Sequence, residues 1–382
     1  MAGRGLVEHL ESQQSEMVEA LRVLVDHESP SSDKPALDGL ARLIAGRFEG
    51  LGCGVEVLMN ERGGDHVLIR FPAPAGTASE RPALVICHYD TVWPLGTLAE
   101  RPFRVEDGRA YGPGAYDMKA SIVLVEYALR AVQSLDLTPR RPVTLLVNSD
   151  EEIGSPTSRA LIEEQARASA YALVMEPPLA SGALKTARKG VGRFGVEIEG
   201  RAAHAGVEPE KGISAVVELA YQILRIAGIA DPAAGTTINV GVIQGGTRPN
   251  VVPAAATARV DVRVTTLAEA DRVDRSLRAL APVLPGAKVT ITGGFDKPPM
   301  ERTAEIAALF GRAQTLARDL DLDLQEGATG GASDGNFTAA IGVPTLDGLG
   351  VLGGGAHAID EHVRIESLPV RAGLLTRLLT EL

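Results

Sequence analysis

The chain has 382 residues, of which 45% are hydrophobic, and this length predicts two domains, one of them interrupted by the other. The net charge is −11 and aromatic residues make up only 4%, so nucleic acid and anionic membranes are poor partner candidates. No apolar run approaches the roughly 20 residues that span a bilayer. The N-terminal segment also lacks the continuous apolar core of a signal peptide, and we therefore expect a cytoplasmic protein.

The first part of the chain alternates helix and strand patterns. Apolar residues at helical spacing predict helices over 10–25, 34–51 and 118–132. Short runs rich in β-branched residues predict strands at 55–58, 67–71, 83–87, 143–147 and 171–175, with a loop at 72–82. This alternation predicts an α/β domain in which a mostly parallel central sheet is flanked by helices.

The pattern changes near Gly190, where the segment VGRFGVEIEG alternates with period two like a half-buried strand. Helix patterns at 213–226 and 267–280 then alternate with strand patterns at 237–243, 256–264 and 288–291. The order β-α-β-β-α-β predicts a small α+β, ferredoxin-like domain. We interpret residues 190–297 as this domain, inserted into a discontinuous α/β domain of residues 1–189 and 298–382.

Polar residues follow several of the predicted strands, at the point where each strand ends. They are His88 and Asp90 after strand 83–87, Asp150, Glu151 and Glu152 after strand 143–147, and Glu176 after strand 171–175. Two glycine-rich turns, GPGAYDMK and GGGAHAIDEH, add Asp117 and His357. Because ligands of open α/β sheets bind beyond the carboxyl ends of the strands, we expect these side chains to share one crevice.

Such a crevice favours metal ions. Crowded carboxylates raise one another's pKa, and a cation removes this conflict. Two histidines and three carboxylates are too many for one tetrahedral catalytic zinc, which takes three protein ligands. They suit two metal ions that share a carboxylate and activate water for hydrolysis. The adjacent pair Glu151-Glu152 supplies one ligand and one general base.

Each feature alone has a simpler explanation as a capping pair, a helix start or a turn. The stretch 357–362 reads H-x-x-x-E-H and resembles an inverted zinc-protease helix, but it has one residue too many and follows three glycines. We therefore predict a loop there, with His362 structural. The remaining candidates are interpreted as ordinary structural residues, namely His9, His27 and His66, together with the buried free thiols of Cys53 and Cys87.

Eight segments in this order resemble the dinuclear-zinc peptidase family of aminoacylases, succinyl-diaminopimelate desuccinylase and bacterial glutamate carboxypeptidase. They are HYDTV, GPGAYDMKA, NSDEEIGS, VMEPP, GRAAHAGVEPEKGISA, RPNVVPAAATARVDVR, GGASDGNF and GGGAHAIDE, and they cover nearly the whole chain. Among the members, the bacterial glutamate carboxypeptidases look closest. The resemblance implies a zinc-peptidase-type catalytic domain with an inserted lid and dimerisation domain, and hence a homodimer.

The resemblance also implies a site with two zinc ions, for which cobalt and manganese are the expected substitutes. Its ligands would be His88, Asp117, Glu152, Glu176 and His357. Asp117 would bridge the ions, with a cis peptide bond after it, while Glu176 and His88 would bind different ions. Glu151 would be the general base, and Asp90 would orient the His88 ring from behind.

For the inserted domain, the resemblance implies contacts with the substrate. His204 would stabilise the oxyanion, and Arg263 would bind the free carboxylate of the substrate with its planar guanidinium, together with Asn250. A loop near the substrate would contain Gly330, Gly331 and Ser333.

These observations predict a hydrolase, a metallo-carboxypeptidase that cleaves an amide bond next to a free carboxylate of an N-acyl amino acid or short peptide. An N-acyl-amino-acid deacylase or dipeptidase of the same family is the alternative, and a non-catalytic ligand-binding module is a remote one. A glutamate side chain would need a further basic residue. The sequence leaves this choice open among Lys297 in GGFDKPPM and Lys185, Arg188 and Lys189 in LKTARKG.

Overall fold

The computed structural model describes residues 3–72 and 80–382, so residues 73–79 of the predicted loop lie outside the described residues. The chain divides into two compact units. Unit 1 comprises Met1–Thr186, Arg302–Thr329 and Ser333–Leu382, and unit 2 comprises Ala187–Glu301 and Gly330–Ala332. The domain boundaries predicted from the sequence, 189/190 and 297/298, stay a prediction.

The helices are α1 Gly3–Glu11, α2 Gln14–Val25, α3 Lys34–Glu49, α4 Thr97–Glu100, α5 Ala120–Ser134, α6 Arg159–Ala168, α7 Ala215–Ala227, α8 Leu267–Arg278, α9 Ala304–Arg318, α10 Gly335–Ala340 and α11 Ser367–Glu381. The strands are β1 Gly54–Leu58, β2 His66–Phe71, β3 Ala83–His88, β4 Arg104–Glu106, β5 Arg109–Tyr111, β6 Val143–Asn148, β7 Tyr171–Val174, β8 Leu184–Arg188, β9 Gly190–Glu199, β10 Thr237–Gly245, β11 Ala255–Val264, β12 Lys288–Lys297, β13 Glu326–Thr329, β14 Thr345–Leu346, β15 Gly353–Gly354 and β16 His362–Arg364. Short helical turns lie at Ala115–Lys119, Glu151–Ile153 and Pro209–Lys211.

The central sheet of unit 1 has six strands in the order β1-β2-β6-β3-β7-β14. Strand β3 pairs in parallel with β6 and β7, and β7 pairs in parallel with β14. The other two pairings, β1 with β2 and β2 with β6, are antiparallel. Every residue of β3 and β6 is buried, as expected for parallel strands covered on both faces. The predicted α/β class with a mostly parallel sheet is confirmed.

Two details of unit 1 differ from the sequence prediction. The single N-terminal helix predicted over 10–25 is wrong, because α1 and α2 are separate helices. The Ser12 hydroxyl donates to the carbonyl of His9 at 2.6 Å, a local bond that competes with helix continuation. The small sheets β15-β16-β5-β4 and β13-β8 were also not predicted. Their strands have only two to five residues, too few for a periodic pattern to be visible.

Unit 2 contains a four-stranded sheet in the order β10-β11-β9-β12. All of its pairings are antiparallel. Alternate residues of β11, among them Val260 and Val262, are buried in a separate apolar core with side chains of α7 and α8. The element order β9-α7-β10-β11-α8-β12 confirms the predicted α+β, ferredoxin-like domain.

Among the helices in residues 3–72 and 80–382, the structure contains none with both the length and the apolar character needed to cross a bilayer. Both cysteines, Cys53 and Cys87, are free and buried, as predicted.

Candidate metal centre

Three neighbouring strand ends of the central sheet carry the predicted ligands. His88 is the last residue of β3 and lies opposite Asn148, the last residue of β6. Glu176 follows two residues after β7, the other neighbour of β3. Because these strands run in parallel, their carboxyl ends meet at one edge of the sheet and bring His88, the Glu151-Glu152 turn and Glu176 together.

Asp117 reaches the same place from the turn Ala115–Lys119. The backbone of Asp117 is not helical (φ −120°, ψ 92°), and the Asp117–Met118 peptide bond is cis. Gly114 precedes the turn with φ +72°, and a Cβ atom there would lie 2.4 Å from Cγ2 of Thr91. A glycine is therefore required both for the left-handed backbone and for the close approach.

The two carboxylate oxygens of Asp117 face two different histidines. Oδ1 lies 3.2 Å from Nε2 of His88, and Oδ2 lies 3.4 Å from Nε2 of His357. Nε2 of His88 is also 3.5 Å from Glu176, and Nε2 of His357 is 3.1 Å from Glu152. The result is two nitrogen–carboxylate clusters joined by Asp117.

His88 and Glu176 were expected to bind different ions. Nε2 of His88 lies 3.5 Å from Glu176, because β3 and β7 are directly paired and residues at their ends are neighbours. Glu152 lies 3.1 Å from Nε2 of His357. Which ion each residue binds stays a prediction.

Burial and hydrogen bonding perturb the protonation of this cluster. Burial alone would lower the pKa of His88, but hydrogen bonds to three carboxylates raise it well above its ordinary value. Hydrogen bonds to Asp117 and Glu152 raise the pKa of His357 to about 10. Burial raises the pKa of Glu152 to about 7. Burial would also raise the pKa of Asp117, yet hydrogen bonds from both histidines hold it below its usual range.

The donor set fits metal ions. Without a cation, hydrogen bonds to the carboxylates raise the pKa of both imidazoles and so favour their protonated forms. Ligand atoms of His88, Asp117 and Glu152 all lie within 4.8 Å of one another, as do those of His88, Glu151 and Glu176. Imidazole nitrogen and carboxylate oxygen are ligands that zinc accepts, and a carboxylate that faces two nitrogens can serve two ions.

Asp90 lies behind His88 and is fully buried. Nδ1 of His88, on the side of the ring opposite the cluster, lies 3.1 Å from the carbonyl oxygen of Asp90 and 3.3 Å from its Oδ1. The same carboxylate accepts the backbone N–H groups of Glu151 and Glu152, both at 3.2 Å. The hydroxyl of Ser31 donates to it at 2.7 Å. Asp90 therefore contacts both the His88 ring and the turn that carries the two glutamates.

Comparison with known proteins identifies the family of the chain. The model of Peptidase family M20/M25/M40 matches residues 84–381. The chain belongs to this family. It is therefore a metallo-hydrolase of a family that binds metal ions, and the resemblance inferred from the eight segments is confirmed.

Individual relatives cover almost the whole chain. Carboxypeptidase G2 of Pseudomonas sp. (strain RS-16) is 31% identical over 378 residues, which cover 97% of this chain and 90% of that protein. A succinyl-diaminopimelate desuccinylase of Thioalkalivibrio sulfidiphilus (strain HL-EbGR7) is 27% identical, over 90% of this chain and 94% of that protein. The crystal structure of aminopeptidase PepT from Bacillus cereus ATCC 10987 superposes with a TM-score of 0.82 at 22% identity. It covers 96% of this chain and 98% of that one, and shows the shared M20 fold.

The substrate-contact residues predicted in unit 2 lie in two places: His204 and Asn250 on two adjacent segments, and Arg263 on strand β11. His204 is exposed and forms a β-bridge with Val251, and the amide of Ala205 donates to the carbonyl of Asn250 at 3.0 Å. His204 and Asn250 are therefore on adjacent segments. The guanidinium of Arg263 binds Asp261 through two hydrogen bonds of 2.8 and 3.0 Å.

The predicted loop near the substrate is held by hydrogen bonds on both sides. Arg263 donates to the carbonyl of Gly330 at 3.4 Å, and Arg188 donates to that of Gly331 at 3.2 Å. Ser333, in unit 1, is buried and its hydroxyl donates to Asp347 at 2.5 Å. The hydroxyl of Ser333 is thus engaged within the protein.

The basic residues considered for a glutamate side chain are mostly buried. The side chains of Lys185, Arg188 and Lys297 are each less than one-tenth exposed. Lys189 donates to the carbonyl of Gly235 at 2.5 Å.

The stretch 357–362 is not helical, as predicted. His357 has a left-handed backbone (φ +60°), and His362 belongs to β16, where its ring lies 5.4 Å from that of Tyr111. Between these histidines, the structure places a buried carboxylate, Glu361, against the Asp117 turn. Sequence reasoning missed Glu361, because a lone glutamate before a strand carries no local signal of burial.

Proposed function

We propose that this M20 family member is a dinuclear-zinc carboxypeptidase that hydrolyses an amide bond next to a free carboxylate and releases a C-terminal amino acid. The observation that carries the proposal is Asp117, whose two oxygens face two different histidines, each with a further carboxylate beside it. The 31% identity to carboxypeptidase G2 over 97% of the chain supports the carboxypeptidase activity.

In this proposal, the five ligands divide into two sets that share Asp117. His88 and Glu176 hold one zinc ion, and His357 and Glu152 hold the other. Bound zinc would lower the pKa of a water molecule and polarise the scissile carbonyl.

Three side chains of the protein would carry out the proton transfer, the orientation of the His88 ring and the stabilisation of the oxyanion. Glu151 accepts the proton of the attacking water and delivers it to the leaving amine. Asp90 keeps the His88 ring oriented by accepting from Nδ1. His204 donates to the oxyanion that develops on the carbonyl oxygen.

The free carboxylate of the substrate is bound by Arg263 and Asn250. Nε and Nη2 of Arg263 bind Asp261, so a substrate carboxylate would bind the other N–H groups of the planar guanidinium or would displace Asp261. Gly330 and Gly331, whose carbonyls accept from arginines, line the same part of unit 2.

We further propose that the protein forms a homodimer through unit 2. Helix α7 buries one face, while Val217, Tyr221 and Leu224 on its other face are 46%, 44% and 73% exposed. The edge strand β10 adds the exposed side chains of Val242 and Ile243. Within residues 3–72 and 80–382, β10 pairs on one side only, and an exposed apolar face beside such an edge is suited to a second copy of the chain. Light scattering of the purified protein would give twice the mass of one chain, and a monomer at all concentrations would contradict the proposal.

The function is tested on purified protein with N-acyl amino acids and dipeptides, including N-acyl-glutamates and a folate analogue. Zinc content and release of amine are measured with and without a chelator. Chelator-sensitive release of a C-terminal glutamate supports the carboxypeptidase. Preference for other N-acyl amino acids or for dipeptides instead identifies a deacylase or dipeptidase of the same family. A protein that binds no zinc, or whose activity ignores the chelator, contradicts the proposed site.

A further inference from the structure

Glu361 is a buried carboxylate with four hydrogen-bond donors around it. It is 3% exposed. Its Oε1 accepts from the amides of Tyr116 and Asp117 at 2.9 and 3.1 Å. Its Oε2 accepts from the amide of Gly114 and from the indole N–H of Trp93, both at 2.9 Å. Each oxygen accepts two bonds, so the group acts as a hydrogen-bond acceptor for all four donors.

These bonds hold the turn that presents Asp117. Three of the four donors are backbone amides between Gly114 and Asp117, and one of them is the amide of Asp117 itself. Gly114, Tyr116 and Asp117 lie at the N-terminal end of the segment Ala115–Lys119, where backbone N–H groups have no partner within a helix. The Glu361 carboxylate takes the place of such a partner.

The backbone of Glu361 holds a second element of the site. Its amide donates to the carbonyl of Ala358 at 3.1 Å, and the amide of Ala358 donates to the carbonyl of Gly355 at 2.8 Å. The first turn, from Gly355 to Ala358, encloses His357 and its left-handed backbone, and the second, from Ala358 to Glu361, follows it directly. One residue therefore joins the turn of Asp117 to the loop of His357.

This connection matters because the two clusters are supported differently. His88 is the last residue of β3 and Glu176 follows β7, and the ladder between these paired strands keeps their separation. Asp117 and His357 come from a turn and a loop, and Nε2 of His357 must stay near Oδ2 of Asp117, at 3.4 Å here, to share an ion. Among the hydrogen bonds of residues 3–72 and 80–382, those of Glu361 reach both the Asp117 turn and the His357 loop directly.

We propose that Glu361 is a positioning residue that sets the separation of Asp117 and His357, and thereby the affinity of the metal site formed by Asp117, Glu152 and His357. This inference rests on the proposed dinuclear site. Glu361→Gln keeps the size of the side chain but replaces one acceptor oxygen by an amino group that faces N–H donors. Loss of an outer partner of this kind weakens metal affinity by about 10–100-fold.

The experiment titrates metal-free protein with zinc against a chelating indicator and resolves the two binding steps. For Glu361→Gln we expect one step, that of the site formed by Asp117, Glu152 and His357, to lose about 10–100-fold in affinity and the other step to change less. Cobalt-loaded protein provides a second readout, because its visible absorption reports ligand geometry. Saturating zinc should restore turnover, which a loss of fold would not allow.

The matched control is Asp360→Asn, which removes a charge from the neighbouring exposed position and should leave both steps unchanged. If Glu361→Gln does not fold, Trp93→Phe decides, since it removes one donor and should weaken the same step by about threefold. The inference is overturned if the folded Glu361→Gln variant binds zinc with wild-type affinity at both steps. Where Trp93→Phe has to replace it, wild-type affinity of Trp93→Phe at both steps overturns the inference. A wild-type protein that binds no zinc instead overturns the proposed function, so the two failures are distinguishable.

Discussion

The carboxylate of Asp90 accepts the backbone N–H of Glu151 at 3.2 Å, so the residue behind His88 also holds the turn of the proposed general base. This contact couples the orientation of the His88 ring to the position of Glu151. A change in the acceptor strength of Asp90 should therefore affect both groups at once.

Asp90→Asn tests this coupling. The amide keeps the shape but offers one acceptor oxygen, so its amino group must face an N–H donor on one side. We expect kcat or zinc affinity to fall by about 10–100-fold. Steady-state kinetics and zinc titration measure the two effects. Ser31→Ala is the control, since it removes one hydrogen bond to Asp90 and leaves the carboxylate in place. Wild-type kinetics and affinity in Asp90→Asn would contradict the role of Asp90.

The two adjacent glutamates should separate catalysis from metal binding. Glu151→Gln should reduce turnover by about 10²–10⁴-fold while zinc content is retained, because the side chain can no longer accept a proton. Glu152→Gln should reduce zinc content, because Glu152 lies 3.1 Å from His357 in the second cluster. Metal analysis and kinetics of both variants give the answer. The opposite pattern, with zinc lost from Glu151→Gln alone, would exchange the two roles.

Zinc should stabilise the protein more strongly as the pH rises. In the metal-free protein the pKa of His357 is raised from 6.5 to about 10, so its contact with Asp117 and Glu152 contributes stability that is fully present below pH 6.5 and lost as the pH rises through about 10. Zinc binds the unprotonated imidazole and must displace this proton. We therefore expect the zinc-induced rise in melting temperature to grow between about pH 6 and about pH 9.

Thermal unfolding with zinc and with chelator, across that pH range, measures this effect. His357→Gln should flatten the dependence, whereas His362→Gln, a histidine in β16, should retain it. If the zinc-induced rise in melting temperature of the unmodified protein does not change with pH, His357 is not a ligand.

Gly114 and Gly52 form a matched pair for testing the Asp117 turn. Both have φ +72°, but a Cβ atom at Gly114 would lie 2.4 Å from Thr91, whereas one at Gly52 would meet nothing within 4 Å. Gly52→Ala should cost about 1–2 kcal/mol through backbone strain alone. Gly114→Ala should cost about 1–3 kcal/mol more, because overpacking adds to the strain. Urea unfolding of the metal-free protein measures the free energy of unfolding of both variants. Equal losses of unfolding free energy would mean that the Thr91 side chain moves aside with no loss of stability.

Much of unit 1 was predictable because its signals are local. Continuous apolar runs identified β3, β6 and β7, and the polar residues directly after them identified the edge where His88, Glu152 and Glu176 meet. The alternation of VGRFGVEIEG, which forms most of β9, likewise marked the change of pattern, and the order of the elements that follow it predicted the ferredoxin-like fold. These patterns are visible because a buried strand and its polar end are encoded within a few consecutive residues.

Other features depend on partners far along the chain. The sequence showed that His88 and Glu176 follow strands, but not that β3 and β7 pair directly and place both residues in one cluster. The bidentate contact of Arg263 with Asp261 was likewise hidden, because an outward residue on a strand has several polar neighbours to choose from.

The sequence by itself determined the chemistry of this protein: two histidines, several carboxylates at strand ends and the motifs of a metallo-hydrolase family. The tertiary structure decided how these groups are arranged. One oxygen of Asp117 faces each histidine, and Glu361 bonds to the turns behind them. The physical reason is that residue type and local periodicity are written in consecutive positions. Strand pairing, and the hydrogen bond between residues 117 and 361, exist only after the chain has folded.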